Sequence, residues 1–214
     1  MKWEGKSGGD FEQPPAGTHV ARCIKVVDIG TQQGEYQGVP NAKRQCIITF
    51  ELPNELMTGE HAGKPFITSK FYTASLGEKA NLRKDLANWR GRDFTEEELN
   101  GFESKAIIDK GCMLSITLND KGRARITGIM ALPKGTQVPP RVNETVYFSL
   151  DEFDAGVYES LSDGIKKMIS ASPEYQRAIK PRPAAPAQKQ TFEEAMEDDI
   201  PFSNPYRGKI SYCY

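Results

Sequence analysis

The stretch FITSKFYT, residues 66–73, is followed by a change in the spacing of apolar side chains. Within it, residues alternate in a way typical of a β-strand, whose successive side chains lie on opposite faces. Over residues 75–91 the spacing becomes helical, because Leu82, Leu86 and Trp89 recur at intervals of four and three residues. The sequence therefore predicts a strand that leads into a helix.

Runs rich in β-branched and apolar residues predict four further strands around this unit. They cover residues 18–27, 44–52, 112–118 and 123–129, and a loop with several glycines is expected over 30–41. Three strands, a helix and two strands follow the order of a five-stranded antiparallel OB-type barrel, with the helix between strands 3 and 4. We therefore predict a mainly β fold with some helix, in which the apolar helix face closes one end of the barrel.

The remaining segments predict appendages to the barrel. Thr95 and Glu98 have the spacing of a capping box that begins a short second helix, and a weaker apolar repeat over 157–180 predicts a C-terminal helix. A short strand is expected over 146–150, and the proline-rich residues 181–188 are typical of an extended linker. The predicted organisation is a flexible arm (1–15), an OB-fold domain (16–150), a helical extension (151–180) and a disordered linker with an acidic tail (181–214).

The formal net charge of −1 hides a separation of charge along the chain. Residues 64–92 contain seven Lys and Arg against two acidic residues, whereas residues 191–202 contain five acidic residues and no Lys or Arg. The charges of a basic body and an acidic tail cancel in the net charge of the chain, but each segment creates its own local electrostatic potential. The basic part favours an anionic partner such as nucleic acid.

Several functional classes lack their sequence signatures. None of the cysteines (Cys23, Cys46, Cys112 and Cys213) lies in a C-x-x-C pair, so we expect reduced thiols, no metal site and no cofactor. The sequence contains no phosphate-binding loop and no nucleophile elbow, and we expect no enzymatic activity. It also contains no apolar run of about 18 residues and no apolar leader, which predicts a cytoplasmic protein without a membrane partner.

The predicted barrel offers side chains that suit an unpaired nucleic-acid strand. Lys and Arg neutralise phosphates, and aromatic rings stack on bases without reading sequence. Alternation places Phe66, Lys70 and Tyr72 on one face of the third strand, and Arg123 with Arg125 on one face of the fifth. In the alternative interpretation, the two rings fill a core and the arginines only face solvent. The predicted DNA-binding residues are Tyr36, Lys43, Arg44, Phe66, Lys70, Tyr72, Lys121, Arg123 and Arg125.

The acidic segment EEAMEDDIPF, residues 193–202, ends in Asp198, Asp199, Ile200, Pro201 and Phe202. This motif resembles the acidic tip of bacterial single-stranded DNA-binding proteins, which follows a flexible linker and docks on genome-maintenance proteins. The resemblance implies that Ile200 and Phe202 are apolar anchors and that the two aspartates meet basic residues. In that family the Phe is the last residue and its carboxylate is recognised, whereas twelve residues follow Phe202 here.

A broader resemblance covers residues 17–175 and is carried by FYTASL (71–76), NLRKDL (81–86) and WRGR (89–92). These segments are similar to phage-encoded replication proteins of the single-stranded DNA-binding type. The resemblance implies an OB barrel that binds single-stranded DNA with little sequence preference during phage DNA replication or recombination. The tail would then dock replication or recombination proteins or regulate the barrel. A protein-interaction module and an RNA-binding OB protein remain the alternatives.

Overall fold

The structure, a computed structural model of the chain, describes residues 12–36 and 38–179. Its elements are β1 (Gly17–Tyr36), β2 (Val39–Leu56), β3 (Pro65–Thr73), α1 (Asn81–Arg90), α2 (Glu96–Gly101), a 3-10 helix (Ser104–Ile107), β4 (Gly111–Leu118), β5 (Ala124–Met130), β6 (Val146–Phe148), α3 (Ala155–Ser160), α4 (Asp163–Ser170) and α5 (Pro173–Ile179). The predicted acidic tail lies outside the described residues. Within the described ranges, no helix is both long and apolar enough to cross a membrane.

The strands form one sheet in the order β3-β2-β1-β4-β5, and all neighbours along this path are antiparallel. β6 adds a parallel pairing to residues 25–27 of β1. β3 and β5 end the path, and among the described strands no hydrogen-bond ladder joins them, although some of their Cα atoms lie within 8 Å of each other. The mainly β prediction is confirmed, and the sheet is open.

The segment predicted as a loop over 30–41 is instead the outer part of a long hairpin. β1 and β2 stay paired from Thr31–Arg44 out to Tyr36–Val39. Backbone pairing needs no apolar side chains, so a polar segment with glycines gives no strand signal although it can extend a ladder. A register shift between Asp28 and Gly30 marks the point where the hairpin leaves the body of the sheet.

The end of α1 and the start of α2 agree with the prediction, whereas the number of C-terminal helices differs from it. α1 ends where expected, because Gly91 takes a left-handed conformation with φ 69° and caps the helix. The Thr95–Glu98 capping box is confirmed at the start of α2. In place of the single C-terminal helix there are three short ones, α3 to α5. The break before α5 lies at Pro173, which is tolerated at the first position of a helix but not inside one.

The main core lies between the sheet and α1. Leu86 and Trp89, two of the three residues on the predicted apolar face of the helix, are buried, and the Trp89 ring lies 5.6 Å from the ring of Phe50 on β2. The indole N–H of Trp89 donates to the carbonyl oxygen of Gly111 at 2.7 Å. This bond satisfies the one polar group of a buried tryptophan and ties α1 to the first residue of β4.

A second core lies on the opposite face of the sheet, which is called the outer face below. Val27 and Ile47 form a cross-strand pair there, and they pack with Phe148, Leu161 and Ile169. The last two belong to the C-terminal segment, so residues 151–179 cover part of the outer face. Both faces of β1 and β2 are therefore buried over this region.

The outer face also holds a loop, residues 138–143, through one buried and one partly buried charged residue. The Glu51 carboxylate is fully buried and accepts hydrogen bonds from the backbone N–H groups of Val142 (3.0 Å) and Asn143 (2.8 Å). Arg22, which lies opposite Glu51 in the register, donates to the carbonyl oxygens of Val138 (3.2 Å) and Pro139 (3.0 Å). A buried charge is costly unless it is hydrogen-bonded, and here the loop backbone supplies the partners.

We expect Glu51→Gln to lower the free energy of unfolding by about 2 kcal/mol, since an amide N–H₂ cannot accept the bonds of the loop. Urea-induced unfolding measures this loss. The control is Glu144→Gln, an exposed change in the adjoining segment that should leave the unfolding midpoint in place. Equal midpoints for both variants would contradict the role of Glu51.

Candidate nucleic-acid interface

The two faces of β3 are reversed relative to the prediction. Phe66 and Tyr72 are only 5% and 4% exposed, because they face the main core. Phe71 and Ile67, on the opposite face, are 54% and 44% exposed. The predicted alternation is correct, but the choice of the ligand-facing side is wrong, and neither Phe66 nor Tyr72 is available for stacking.

Lys70, predicted to contact phosphate, is bound to an acid of the protein. Its Nζ lies 2.7 Å from Oδ2 of Asp85 on α1, and the Tyr72 hydroxyl donates to the same oxygen at 2.7 Å. Burial raises the pKa of the Tyr72 hydroxyl, and the Asp85 charge raises it further. Contacts among these three side chains connect β3 to α1. The position of Lys70 is therefore explained by its ion pair with Asp85 and requires no ligand.

Arg44 is neutralised by two carboxylates. Its guanidinium pairs with Asp28 on β1, and Nη2 lies 2.8 Å from Oδ2 of Asp151. The hydrogen bond to Asp28 is the main cause that raises the pKa of Arg44. The neighbouring Lys43 is exposed on the hairpin, and Tyr36 ends β1 in backbone register with Val39.

Four of the seven cations in the basic stretch over 64–92 are paired as well. Arg83 pairs with Asp93 at 3.1 Å, and Arg90 and Arg92 both pair with Glu98. The hydrogen bond from Arg92 is the largest cause that lowers the pKa of Glu98 to about 2. Acids that lie close in space therefore pair with part of this local positive charge, whereas the exposed Lys64, Lys79 and Lys84 have no ion pair among the described residues.

The hairpin between β4 and β5 presents three exposed cations: Lys121, Arg123 and Arg125. Asn119 fixes its turn, because Oδ1 accepts the backbone N–H groups of Lys121 (3.0 Å) and Arg123 (2.9 Å). Gly122 adopts φ 68°, a conformation that glycine takes without strain. Arg125 lies opposite the exposed Thr117 on β4. The turn thus holds the cations on a fixed backbone.

Arg123 and Arg125 differ from the other arginines. Throughout residues 12–36 and 38–179, they alone among arginines have no carboxylate within ion-pair distance. The paired arginines are Arg22, Arg44, Arg83, Arg90, Arg92, Arg141 and Arg177. The β4–β5 hairpin is therefore where guanidinium groups remain available to an external anion.

Phe71 is the ring that the sequence prediction missed. It shares the outer face of β3 with Ser69 and Thr73, both exposed, and lies opposite Ile47 on β2. Because the opposite face carries Thr68 and Lys70, the polar residues of β3 give no local signal for which side is open to solvent. An exposed ring on a strand next to polar groups is suited to stack on a base.

A cleft of about 290 Å³ lies on the inner side of the sheet, between β1, β2, β6 and the helices that follow β3. Its lining is mostly apolar, with Cys46 and the ion-paired Arg44 among its residues. Burial raises the pKa of the Cys46 thiol to about 11, so the thiol stays protonated at neutral pH. Among the described residues, no group of three or more His, Cys, Asp or Glu is placed to hold a metal ion.

We expect Tyr72→Phe to lower the free energy of unfolding by about 1 kcal/mol, because Asp85 loses a buried hydrogen-bond donor while the ring keeps its packing. The matched control is Phe71→Leu on the exposed side of the same strand, which should change stability little. Urea unfolding measures the free energy of unfolding of both variants. A larger loss for Phe71→Leu than for Tyr72→Phe would contradict the assignment of Tyr72 to the buried face of β3.

Apart from Tyr36, whose side chain lies outside the described part of the structure, the predicted interface residues fall into two groups. Phe66, Lys70, Tyr72 and Arg44 are occupied within the fold. The exposed cations that remain are Lys43, Lys121, Arg123 and Arg125. In comparisons with known proteins, no protein-family model and no curated protein sequence matches this chain.

Proposed function

We propose that the protein binds single-stranded DNA with little sequence preference and protects it during phage DNA replication or recombination in the host cytoplasm. The observation that carries the proposal is the pair of arginines on the β4–β5 hairpin, Arg123 and Arg125. They are exposed and lack a carboxylate partner in the described part of the chain, where all the other arginines have one. Unpaired cations on a fixed hairpin suit the regularly spaced charges of a polynucleotide backbone.

We infer further that the open sheet is an OB-type barrel. Three features support this inference: the strand order β3-β2-β1-β4-β5, the helix between β3 and β4, and the approach of β3 to β5. OB folds bind oligonucleotides with strands 2 and 3 and with the loops that join strands 1–2 and 4–5. In this chain the hairpin of strands 1 and 2 carries Lys43 on β2, and the connection between strands 4 and 5 carries Lys121 and Arg123.

The chemistry expected of this surface is independent of sequence. Guanidinium and ammonium groups bind phosphates and release counterions, which makes affinity fall as salt rises. The exposed Phe71 ring adds stacking on an unpaired base, a contact worth about 1–3 kcal/mol per base for any nucleobase. A duplex keeps its bases stacked on one another, so the ring contact favours single strands.

The acidic tail is proposed to dock replication or recombination proteins or to regulate DNA binding. Its residues, Asp198 to Phe202, lie outside the described residues, and the proposal for them rests on their sequence alone. Five acids in residues 191–202 can compete with DNA phosphates for the same cations of the body. The competition is electrostatic and weakens as salt screens the charges.

We expect the double variant Arg123→Ala, Arg125→Ala to bind fluorescent oligo-dT more weakly than the unchanged protein. The slope of log affinity against log salt should become shallower by about 0.7 for each lost phosphate contact. The control is Lys79→Ala, Lys84→Ala, which removes two exposed lysines near and within α1. Fluorescence anisotropy at several salt concentrations measures both quantities.

The same titration separates the alternatives. Tighter binding to oligo-U than to oligo-dT would favour an RNA partner, and equal binding to a duplex would contradict selectivity for single strands. A protein that ignores every oligonucleotide even at low salt would reject nucleic-acid binding. A protein-interaction module would then be the function to test.

Deleting residues 191–214 is expected to tighten the binding of oligo-dT, and the gain should be largest at low salt, where the tail competes best. The matched control replaces the five acids of residues 191–202 with their amides and leaves the length unchanged. Both variants should bind more tightly than the unchanged protein if the acidic charge is responsible. Unchanged affinity at every salt concentration would contradict regulation by the tail.

A further inference from the structure

One row of polar side chains crosses the outer face of the sheet, and it includes none of the predicted site residues. Lys25 on β1 is in register with Thr49 on β2, and Thr49 is in register with Ser69 on β3. Residues opposite each other on neighbouring strands point to the same side of a sheet, so the three share one face. The hydroxyl oxygens of Thr49 and Ser69 are 3.0 Å apart.

The row lies between two covered parts of the sheet. On one side, Val27 and Ile47 are buried under the C-terminal helices. On the other side, Arg22 and Glu51 hold the loop over 138–143. Between the two coverings, the row becomes accessible toward β3: Thr49 at its centre is buried, Lys25 is half-buried and Ser69 is exposed.

Lys25 has no counter-charge within the described residues. Its side chain is half-buried, and no carboxylate of those residues lies within ion-pair distance of its ammonium. The acid nearest in register on this face is Glu51, two residues from Thr49, and its oxygens are engaged by the loop backbone. A half-covered ammonium without a carboxylate partner is available to pair with an anion from outside the chain.

Two exposed apolar side chains flank the open end of the row. Phe71 and Ile67 lie two residues to either side of Ser69 on β3, on the same face. A phosphate bound next to Ser69 would place an adjacent base against the Phe71 ring. Ammonium, hydroxyl and ring together match the repeating unit of a single strand, which alternates phosphate and base.

We propose that Lys25 and Ser69 bind a phosphodiester group of the single strand, with Thr49 positioning the Ser69 hydroxyl and Phe71 stacking on the neighbouring base. The inference rests on the proposed DNA-binding function and adds a subsite separate from the β4–β5 hairpin. Neighbouring strands are about 5 Å apart, so the subsite extends over about 10 Å from β1 to β3. A strand bound there crosses β1, β2 and β3 rather than running along one of them.

The test compares Lys25→Met with Lys84→Met in the full chain, using anisotropy of oligo-dT at several salt concentrations. Lys25→Met keeps the apolar stem and removes the charge, so affinity should fall several-fold and the salt slope should lessen by about 0.7. Lys84→Met removes an exposed lysine of α1 and should change neither quantity. Lys25→Arg retains the positive charge and should restore most of the affinity.

A second measurement locates the base. An oligo-dT with 5-bromo-deoxyuridine, cross-linked by ultraviolet light and digested, should label the peptide that contains Phe71, and Ser69→Ala should reduce the yield. Ser69 is exposed, so this variant tests the subsite even if Lys25→Met fails to fold. If the unchanged protein binds no oligo-dT, the proposed function is rejected. If it binds but Lys25→Met and Ser69→Ala match it in affinity, salt slope and cross-linking, the subsite is rejected and the function stands.

Discussion

The pairing of β1 on both of its edges determines the register of the whole sheet. β2 follows one edge over residues 22–36, while β4 and then β6 follow the other. Between them, the N–H of Cys23 donates to the carbonyl oxygen of Lys110 (3.0 Å) and its carbonyl oxygen accepts from the N–H of Asp109 (2.8 Å). Because a slip of one residue would exchange the two faces of a strand, this continuous pairing decides which side chains are buried.

Local periodicity is sufficient to locate most strands but not to orient them. Residues 66–73 alternate, and alternation was enough to predict β3. Each face of that strand carries an aromatic ring and a polar residue, so the sequence gives no preference for either as the inner one. The choice follows from contacts with distant elements: Asp85 on α1 binds both Lys70 and Tyr72, and β2 supplies the apolar neighbours. A single strand read alone does not contain that information.

Which charged side chains are paired within the fold is harder to predict than where the strands lie, because the pairing partners can also be distant in sequence. Arg44 pairs with Asp151, which is 107 residues away in the sequence, and no spacing rule connects them. The hairpin of Arg123 and Arg125 is different, because Asn119 and Gly122 form its turn from adjacent residues and the alternation of β5 is local. The candidate arginines that stay exposed on the β4–β5 hairpin are thus the ones whose neighbouring residues are nearly all close in sequence. Phe71 was missed because its exposure depends on the orientation of the whole sheet.

The C-terminal helices have a consequence for how the chain can be divided. Gly30 has φ 70°, and a Cβ atom there would lie 2.5 Å from the side chain of Ser172, so the turn before α5 sits directly on the backbone of β1. The Thr31 hydroxyl also donates to Glu174 of α5 at 2.6 Å. A shortened chain that stops after β6 would leave Val27 and Ile47 open to water, which favours self-association. The smallest stable unit for biophysical work therefore extends through Ile179.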